Sequence, residues 1–348
     1  MGDIKLKKGT GILFVMAVLF ISSLLYLHYG DQNTLRVGIF YGSNWEVPGT
    51  VHYEILDQAI KKFESKYPNV KVEYEKGILS NDYSEWLSEQ ILKGTEPDVY
   101  LVLDEDFNTL ASLGALKNLD MLVGGDKEFG SNVFYSSVYK AGQYEGSQYA
   151  LPMECNPTLM FVNKTLLQKE GIKVPDNDWT WDDFYDICKT IVKDSDGDGQ
   201  MDQFGCYDYT WLQAVYSNGI TPFNQSGTSS NFLDEKFSQS LEFVKRLEAT
   251  NRNYQVTSND FDLGKVAFRP FTFSDYRTYM PYPWRIKKYS GFEWTCIRMP
   301  AGPSGDNRSE MSALMAGMSS RTEKKQCAWD FVKLLTTDTD IQKLVYED

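Results

Sequence analysis

Apolar and polar positions in the first part of the chain follow two different periods. Residues 35–41 (LRVGIFY) are apolar and rich in branched and aromatic side chains, which predicts a strand. Over residues 50–67 the apolar positions recur every three or four residues, which predicts an amphipathic helix that ends before Pro68. Residues 70–74 alternate as a second strand. A strand, a helix and a strand in this order predict a right-handed crossover between parallel strands.

The alternation continues along the chain, less regularly towards its end. It predicts an α/β fold whose first domain contains a mainly parallel sheet flanked by helices. The further predicted elements are helices over 82–93 and 107–113, a buried strand over 97–103, an extended segment over 149–162, a helix over 181–192, strands over 265–268 and 293–299, and a helix over 323–335.

Candidate binding residues follow two of the predicted strands, where ligands of parallel α/β sheets lie. The loop after the first strand contains Tyr41, Asn44 and Trp45, and the loop after the strand over 97–103 begins with Asp104 and Glu105. A tryptophan ring packs against the C–H face of a sugar, and carboxylates accept hydrogen bonds from its hydroxyls. These loops therefore predict a carbohydrate site. A loop anchor for the tryptophan and a solvated helix N-terminus for the carboxylates are the alternatives.

Glu154 is a further candidate, because it interrupts an apolar segment. A carboxylate in such a segment is either paired or directed into a cleft. Two groups of aromatic residues, over 207–216 and 271–294, suit the same ligand class, although each ring could equally be part of a core. The ligand-binding candidates in these groups are Tyr209, Trp211, Phe273, Tyr276 and Arg277.

Charge and histidine content exclude other classes of function. Arginine beside aromatic rings is also typical of proteins that bind single-stranded nucleic acid, but the net charge of −13 opposes contact with phosphates. Only two histidines, His28 and His52, are present, and His28 lies in the apolar N-terminal stretch. A Ser/His/Asp triad or a histidine-based zinc site is therefore not supported.

An acidic loop at residues 194–202 (DSDGDGQMD) predicts a metal site. Oxygen donors at positions 1, 3, 5 and 9, a backbone carbonyl at position 7 and a glycine at position 6 match a calcium loop. Gly205 replaces the glutamate that an EF-hand carries at position 12, so we expect a lone structural calcium loop. An acidic turn without metal is the alternative. The predicted ligands are Asp194, Asp196, Asp198, Gln200 and Asp202.

The N-terminal residues 1–30 predict a membrane anchor. Lys5, Lys7 and Lys8 precede an uncharged run over residues 12–27, which is long enough to cross a bilayer with the N-terminus inside the cell. No small-residue cleavage pattern follows the run, and no cysteine for lipid attachment does. A signal peptide cleaved at an atypical position is the alternative.

Read in order, these segments resemble the family 1 extracellular solute-binding proteins of ABC transporters, a group that includes the maltose-binding protein. The resemblance is carried by LRVGIFYGSNW, AIKKFESKYPNVKVEY, EPDVYLVLDEDFNTLASLGAL, YALPMECNPTLMFVNKTLL, DSDGDGQMDQFG, GKVAF, RMPAGPSGDN and AWDFVKLLTTDTDIQKL. The segment YRTYMPYPWRIKKYSGFEW is similar to a Gram-positive sub-branch.

The resemblance implies a two-lobe, type II periplasmic-binding-protein-like fold, in which each lobe has a mainly parallel sheet flanked by helices and a multi-stranded hinge joins the lobes. It implies that lobe 1 comprises 35–150 plus 265–311 and lobe 2 comprises 153–262 plus 315–348, with family members extending into further helices beyond this chain. The chain is expected to pass between lobes near 149–154, 262–268 and 312–319. By position, the cleft would be lined by Trp45, Asp104, Glu154, Trp211 and residues 273–277.

The resemblance also implies a function without catalysis. It predicts a monomeric receptor on the outer face of the cytoplasmic membrane that binds a carbohydrate, with oligosaccharides favoured, and delivers it to the permease subunits of an ABC importer. Two alternatives are a secreted glycoside hydrolase that uses Asp104 and Glu154 as a carboxylate pair, and a surface scaffold that transports nothing.

Overall fold

The computed structural model describes residues 33–45, 52–224, 228–275 and 291–347. The predicted anchor over 1–30 and the candidates Tyr276 and Arg277 lie outside these residues. Within them, no helix has both the length and the apolar character needed to cross a bilayer.

The helices and strands alternate along the chain much as the sequence predicts. The strands are β1 (Thr34–Gly38), β2 (Lys71–Tyr74), β3 (Val99–Val102), β4 (Gln143–Tyr144), β5 (Ser147–Gln148), β6 (Ala150–Asn163), β7 (Phe204–Cys206), β8 (Val266–Thr272), β9 (Trp294–Ile297) and β10 (Met311–Met318). The α-helices are α1 (His52–Lys66), α2 (Ser80–Lys93), α3 (Asp104–Ser112), α4 (Asp120–Gly125), α5 (Ser136–Ala141), α6 (Lys164–Lys169), α7 (Trp181–Ile191), α8 (Trp211–Ser217), α9 (Glu235–Ala249), α10 (Ser258–Asp262), α11 (Lys325–Thr337) and α12 (Thr339–Glu347).

The chain forms two compact units. Of the described residues, the first unit contains those up to Asn44, those from 52 to 154 and those from 313 onward. The second unit contains Trp45 and the described residues from 155 to 312.

The first unit is built on strands in the order β2-β1-β3-β10. Strand β1 pairs in parallel with both β2 and β3, which confirms the predicted crossover, and β10 is antiparallel to β3. Tyr83 of α2 is buried, and its hydroxyl group is a hydrogen-bond donor. Two strand carbonyls lie close enough to accept, that of Gly38 at 3.0 Å and that of Leu101 at 2.9 Å. This contact fixes α2 against the two parallel strands β1 and β3 and satisfies the buried hydroxyl of Tyr83.

The second unit has a mixed sheet in the order β9-β6-β8-β7. Strands β7 and β8 are parallel, whereas β6 is antiparallel to β8 and to β9. The resemblance had implied a mainly parallel sheet in each lobe. The sheet of this unit is not mainly parallel, because β6 has antiparallel neighbours on both sides. Helices α7 and α9 cover its core, where the rings of Trp181 and Phe243 stack with centroids 4.2 Å apart.

The predicted division of the later chain between the lobes is wrong. Residues 265–311 were expected in lobe 1, but β8 and β9 pair with β6 in the second unit. Residues 315–348 were expected in lobe 2, but β10 pairs with β3, and Phe331 of α11 packs edge-on against Phe63 of α1 in the first unit. These long-range contacts determine the unit to which each of the two segments belongs.

The chain passes between the units at two of the three predicted places. One passage follows Glu154 within β6, and another follows Ser312 within β10. The passage expected near 262–268 does not occur, because β8 remains in the second unit between β6 and β7.

Candidate functional site

In the second unit, the parallel strands β7 and β8 end at the same edge of the sheet. Their register pairs Phe204 with Val266 and Cys206 with Phe268. The residues that follow β7 are Tyr207 and Asp208, and Phe273 follows β8. This edge is where parallel α/β sheets place their ligands, so the loops after β7 and β8 are the candidate site of this unit.

The loop after β7 forms one wall of a cavity of about 700 Å³, a volume within the usual range for small-molecule sites. Four aromatic rings and several polar groups line it, all from the second unit. They include Tyr207, Asp208, Trp211, Asn251, Tyr254 and Gln255.

Trp211 lines this cavity with 41% of its surface accessible. It is the first residue of α8, whose N-terminus is closed by a capping box between Thr210 and Gln213. The Trp211 ring also lies 5.8 Å from the ring of Phe237, measured between centroids. The capped helix end and the neighbouring ring fix Trp211 in place while part of its surface stays open to a ligand.

Asp208 is a site residue that the sequence analysis missed. Its backbone is left-handed, with φ +63°, a conformation that aspartate tolerates better than most residues. Loss of water around its carboxyl raises the pKa above the usual value, while the nearby Arg269 acts in the opposite direction. Among the described residues no group donates a hydrogen bond to this carboxylate, which leaves its oxygens able to accept from a ligand. Asp104 was selected as a carboxylate that follows a parallel strand, but the sequence analysis predicted no strand over 204–206, so this criterion did not reach Asp208.

Arg269 of β8 packs against Tyr207 of the cavity wall and against Phe271. Its guanidinium carbon lies 3.9 Å from the centre of the Phe271 ring and 4.8 Å from that of Tyr207. At these distances the cation is attracted to the ring faces. Arg269 therefore positions Tyr207 beside Asp208.

Tyr209 has a different environment from Trp211. Only 6% of its surface is exposed, and its hydroxyl accepts a hydrogen bond from Trp181 Nε1 at 3.2 Å inside the core. The ring also packs edge-on against Phe184. These contacts favour core packing for Tyr209, the alternative that the sequence left open.

Phe273 is held at the end of β8 by its neighbour Ser274. The buried Ser274 receives a hydrogen bond from Asn156 Nδ2 to its Oγ and donates its backbone N–H to Asn156 Oδ1, both at 2.9 Å. This paired contact ties the helical residues 273–275, which directly follow β8, to β6. Phe273 itself is partly exposed at the predicted edge.

In the first unit, the predicted residues also follow parallel strands. Tyr41 lies beyond β1 with 48% of its surface exposed, and its backbone N–H donates to the carbonyl of Ile78 at 2.7 Å. Asp104 and Glu105 form the exposed first turn of α3, immediately beyond β3. Asn44 is partly exposed in the loop after β1. The register of β1 on β3 places both loops at one edge of the sheet.

Two further candidates lie close to the passages between the units. Glu154 is partly exposed and is the last residue of the first unit along β6. Trp45 is also partly exposed, but it belongs to the second unit, whereas the sequence assigned it to the first.

The acidic loop 194–202 connects α7 to strand β7, so it is not part of a helix–loop–helix unit. Carboxylate oxygens of Asp194, Asp196 and Asp202 come within 4.8 Å of one another. Asp198, the fourth predicted carboxylate ligand, is not in this group, and its Oδ1 accepts a hydrogen bond from the backbone of Gln200.

Hydrogen bonds from backbone N–H groups of the loop 194–202 to its own aspartates hold the loop in shape. Asp194 accepts hydrogen bonds from the N–H groups of Gly197 and Gly199 at 2.6 and 2.7 Å, and both glycines are left-handed. These bonds lower the pKa of the Asp194 carboxyl. Calcium binds oxygens at about 2.3–2.6 Å, so oxygens up to about 5 Å apart can share one ion. The three clustered carboxylates meet this requirement.

Comparison with known proteins decides the family. The sequence profile of the bacterial extracellular solute-binding proteins matches residues 48–341. The chain belongs to this family. Its members are substrate-binding proteins, and the family assignment agrees with the resemblance seen in the sequence.

Two curated relatives of this solute-binding protein are similar over part of their length. The diacetylchitobiose binding protein DasA of Streptomyces coelicolor is 26% identical over 211 residues, which is 60% of this chain and 47% of DasA. A multiple sugar-binding protein of Streptococcus mutans is 28% identical over 140 residues, which is 39% of this chain and 30% of the relative. The chain thus spans about half or less of the length of these relatives.

A solved structure shows the fold of this solute-binding protein. An ABC substrate-binding protein from Listeria monocytogenes in complex with cycloalternan superposes with a TM-score of 0.63 at 22% identity, covering 90% of this chain and 78% of the other. The predicted two-part α/β binding-protein fold is thereby confirmed.

Proposed function

We propose that this solute-binding protein is the receptor of an ABC importer and binds an oligosaccharide. The observation that carries the proposal is the cavity in the second unit, where the exposed face of Trp211 lies near the accessible carboxylate of Asp208. An aromatic face beside a hydrogen-bond acceptor matches the two sides of a sugar ring.

The names of the similar proteins support the same ligand class. The Streptomyces relative binds diacetylchitobiose, the Streptococcus relative is a multiple sugar-binding protein, and the Listeria structure contains cycloalternan. We propose that the protein acts as a monomer, catalyses no reaction on its ligand and passes it to the membrane-spanning permease subunits.

A thermal-shift screen of the full chain tests this function. Neutral, amino and acidic oligosaccharides and their monosaccharides are compared at equal concentration. A ligand at about 100 times its Kd stabilises the folded state by roughly 2.7 kcal/mol, which raises the melting temperature. We expect at least one oligosaccharide to raise it more than its constituent monosaccharide does. If no carbohydrate shifts the melting temperature, the proposed ligand class is wrong.

We also propose that the loop 194–202 binds calcium for structural stability. The three clustered carboxylates of Asp194, Asp196 and Asp202 repel one another without a cation. Their oxygens are the donors that Ca²⁺ prefers, and Asp198 and the Gln200 carbonyl complete the set predicted from sequence.

We expect calcium to raise the melting temperature of the full chain and a chelator to lower it, with magnesium a poor substitute because it needs tighter octahedral geometry. The double substitution Asp196→Asn and Asp202→Asn should abolish the response. Asparagine keeps a side-chain oxygen that can accept the backbone hydrogen bonds from Asp198 and Ser195 but removes the charge. Asp186→Asn, at an exposed position of α7, is the matched control. Melting that is indifferent to chelator would rule out the site.

We propose that residues 1–30 anchor the protein to the outer face of the cytoplasmic membrane. The proposal is supported by Lys5, Lys7 and Lys8 before the uncharged run. We expect the native protein to keep its original N-terminus and to remain in the membrane fraction after a high-salt wash. N-terminal sequencing decides this, since a mature chain that starts near residue 30 and is released into the medium would mean cleavage.

A further inference from the structure

The first unit carries a cluster of cationic residues at the edge of the sheet where the parallel strands β1, β2 and β3 begin. Three connections reach this edge: residues 66–71 lead from α1 into β2, residues 93–98 lead from α2 into β3, and residues 319–325 lead from β10 into α11. The antiparallel pairing of β10 with β3 brings the third connection to the same edge as the other two. We call these connections, together with Arg36 of β1, the amino edge.

The charge of the amino edge is opposite in sign to that of the whole chain. The edge has seven cationic residues and three carboxylates, whereas the chain has a net charge of −13. Two of the carboxylates, Glu96 and Asp98, are buried, so Glu323 is the exposed acidic residue of the edge. The cationic residues are Arg36, Lys66, Lys71, Lys93, Arg321, Lys324 and Lys325. All but one are exposed, and the remaining one is partly exposed.

The two arginines of the edge are held in place by hydrogen bonds. Arg36 donates from its two Nη atoms to backbone carbonyls of the connection 93–98, at 3.1 and 2.8 Å. Arg321 Nη1 donates to Glu96 Oε2 at 3.2 Å. Residues of all three connections line a cavity of about 730 Å³ between them. The edge is therefore an ordered, concave surface with cationic groups in its wall.

Two lysines at the rim of the edge have only exposed ionic partners. Lys71 pairs with Glu73, and Lys93 pairs with Glu89, both of which lie outside the edge. Ion pairs between exposed side chains contribute little to stability and are screened by salt. Both lysines can therefore exchange these carboxylates for another anion at small cost.

The chain enters the first unit at the amino edge. The backbone N–H of Lys71 donates to the carbonyl of Asn33 at 2.8 Å, and β1 begins at Thr34. The uncharged run of the proposed anchor ends at Leu27, only six residues before β1. An extended chain covers at most about 3.3–3.6 Å per residue, so β1 begins within roughly 25 Å of the membrane. The anchor thus holds the amino edge close to the bilayer.

We propose that the amino edge docks the first unit on the membrane surface through the phosphate groups of anionic lipids. The inference rests on the proposed anchor, and it adds a lipid preference and an orientation of the first unit. Lysine and arginine bind phosphate oxygens, and an anionic bilayer attracts basic residues over about one Debye length, roughly 8–10 Å. The same surface repels the acidic remainder of the chain, so the amino edge is the part of this unit that it attracts.

Lysine labelling in lipid nanodiscs tests the docking. The full chain is reconstituted in discs of phosphatidylcholine alone, or of phosphatidylcholine and phosphatidylglycerol in equal parts. An uncharged amine-reactive reagent is added, and mass spectrometry of peptides gives the labelling rate of each lysine. We expect Lys66 and Lys71 to react about three- to tenfold more slowly in the anionic discs, and Lys76, beyond the opposite end of β2, to react equally in both. Salt at about 1 M shortens the Debye length to about 3 Å and should remove the difference.

Matched variants separate lipid contact from folding. Lys93→Gln combined with Lys325→Glu lowers the charge of the amino edge and should remove most of the slower labelling of the two reporter lysines. Lys325 is the first residue of α11, where the helix dipole favours a glutamate, so the fold should survive. Lys76→Gln combined with Lys140→Glu makes the same change in charge at exposed positions outside the edge, and it should keep the slower labelling. Thermal melting of each variant checks that it is folded.

Equal labelling of Lys66 and Lys71 in neutral and anionic discs would overturn the inference and leave the anchor intact. A full chain that does not stay with the discs would contradict the anchor and the docking together. Glycerol phosphate added to neutral discs identifies the source of the phosphate. If this free anion slows the labelling as much as the anionic lipid does, the edge binds a soluble phosphate compound and docking on the bilayer is wrong.

Discussion

Gly205→Ala should destabilise the second unit by about 3 kcal/mol, the upper range for overpacking a core. Gly205 lies in the middle of β7 against α7. A Cβ atom at this position would stand 2.4 Å from Cys188 Cβ, 2.6 Å from Cys188 Cα and 2.7 Å from its Sγ. No side-chain rotation moves the first two atoms, so α7 must shift away from the strand. Urea unfolding followed by tryptophan fluorescence measures the loss.

Two variants test the cause of this destabilisation. Gly291→Ala is the matched control, because its added Cβ meets no atom of the described residues within 4 Å, and it should stay within about 0.5 kcal/mol of the parent. Adding Cys188→Ala to Gly205→Ala should restore little, since it removes Sγ but keeps Cβ and Cα. Full recovery in the double variant would mean that the thiol, not the helix backbone, limits the packing. An unchanged urea midpoint in Gly205→Ala would contradict the close approach of α7 and β7.

Trp211→Ala and Asp208→Asn should each weaken oligosaccharide binding by about 1–3 kcal/mol, the range for a central contact residue. Trp211→Ala removes the aromatic face, and Asp208→Asn removes the charge that strengthens hydrogen bonds from sugar hydroxyls. The fold should survive both changes, because Trp211 is substantially exposed and Asp208 follows the strand in an exposed turn. Titration calorimetry with the oligosaccharide found in the screen gives the change in affinity.

Leu233→Ala serves as the control for these binding variants, because Leu233 is a fully exposed apolar residue of the same unit and lies outside the cavity. Its affinity should equal that of the parent. Thermal melting of each variant without ligand separates lost affinity from lost folding. Parent-like affinity in both Trp211→Ala and Asp208→Asn would remove the cavity from the ligand site.

Local sequence pattern was sufficient for most individual elements. The helical period over 50–67 corresponds to α1 at His52–Lys66, and the amphipathic segment over 181–192 corresponds to α7 at Trp181–Ile191. Such segments are predictable because their apolar face alone defines their period. The order of strands in the sheets was less predictable. Thr158 pairs with Thr272 in β8, a partner more than a hundred residues away, and no local pattern specifies that pairing.

Only part of the cavity wall in the second unit was selected from the sequence. Trp211 was selected as one of the aromatic residues over 207–216 and by its position in the family resemblance, and the structure exposes it. Tyr209, two residues earlier, looks the same in sequence, yet its hydroxyl is used inside the core. Asp208 was missed because its left-handed backbone, which turns the chain after β7, is a property of the fold rather than of the residue. Exposure and backbone conformation therefore decide which members of the CYDYTW segment can meet a ligand.

The central claim is that the protein binds an oligosaccharide and releases it unchanged. The most direct measurement is an equilibrium titration of the full chain with the oligosaccharide from the screen, followed by mass spectrometry of the recovered ligand. We predict saturable binding at one ligand per chain and recovery of the ligand at its original length after prolonged incubation. Recovery of shortened products, at a rate that Asp104→Asn or Glu154→Gln reduces, would instead show a hydrolase and contradict the receptor function.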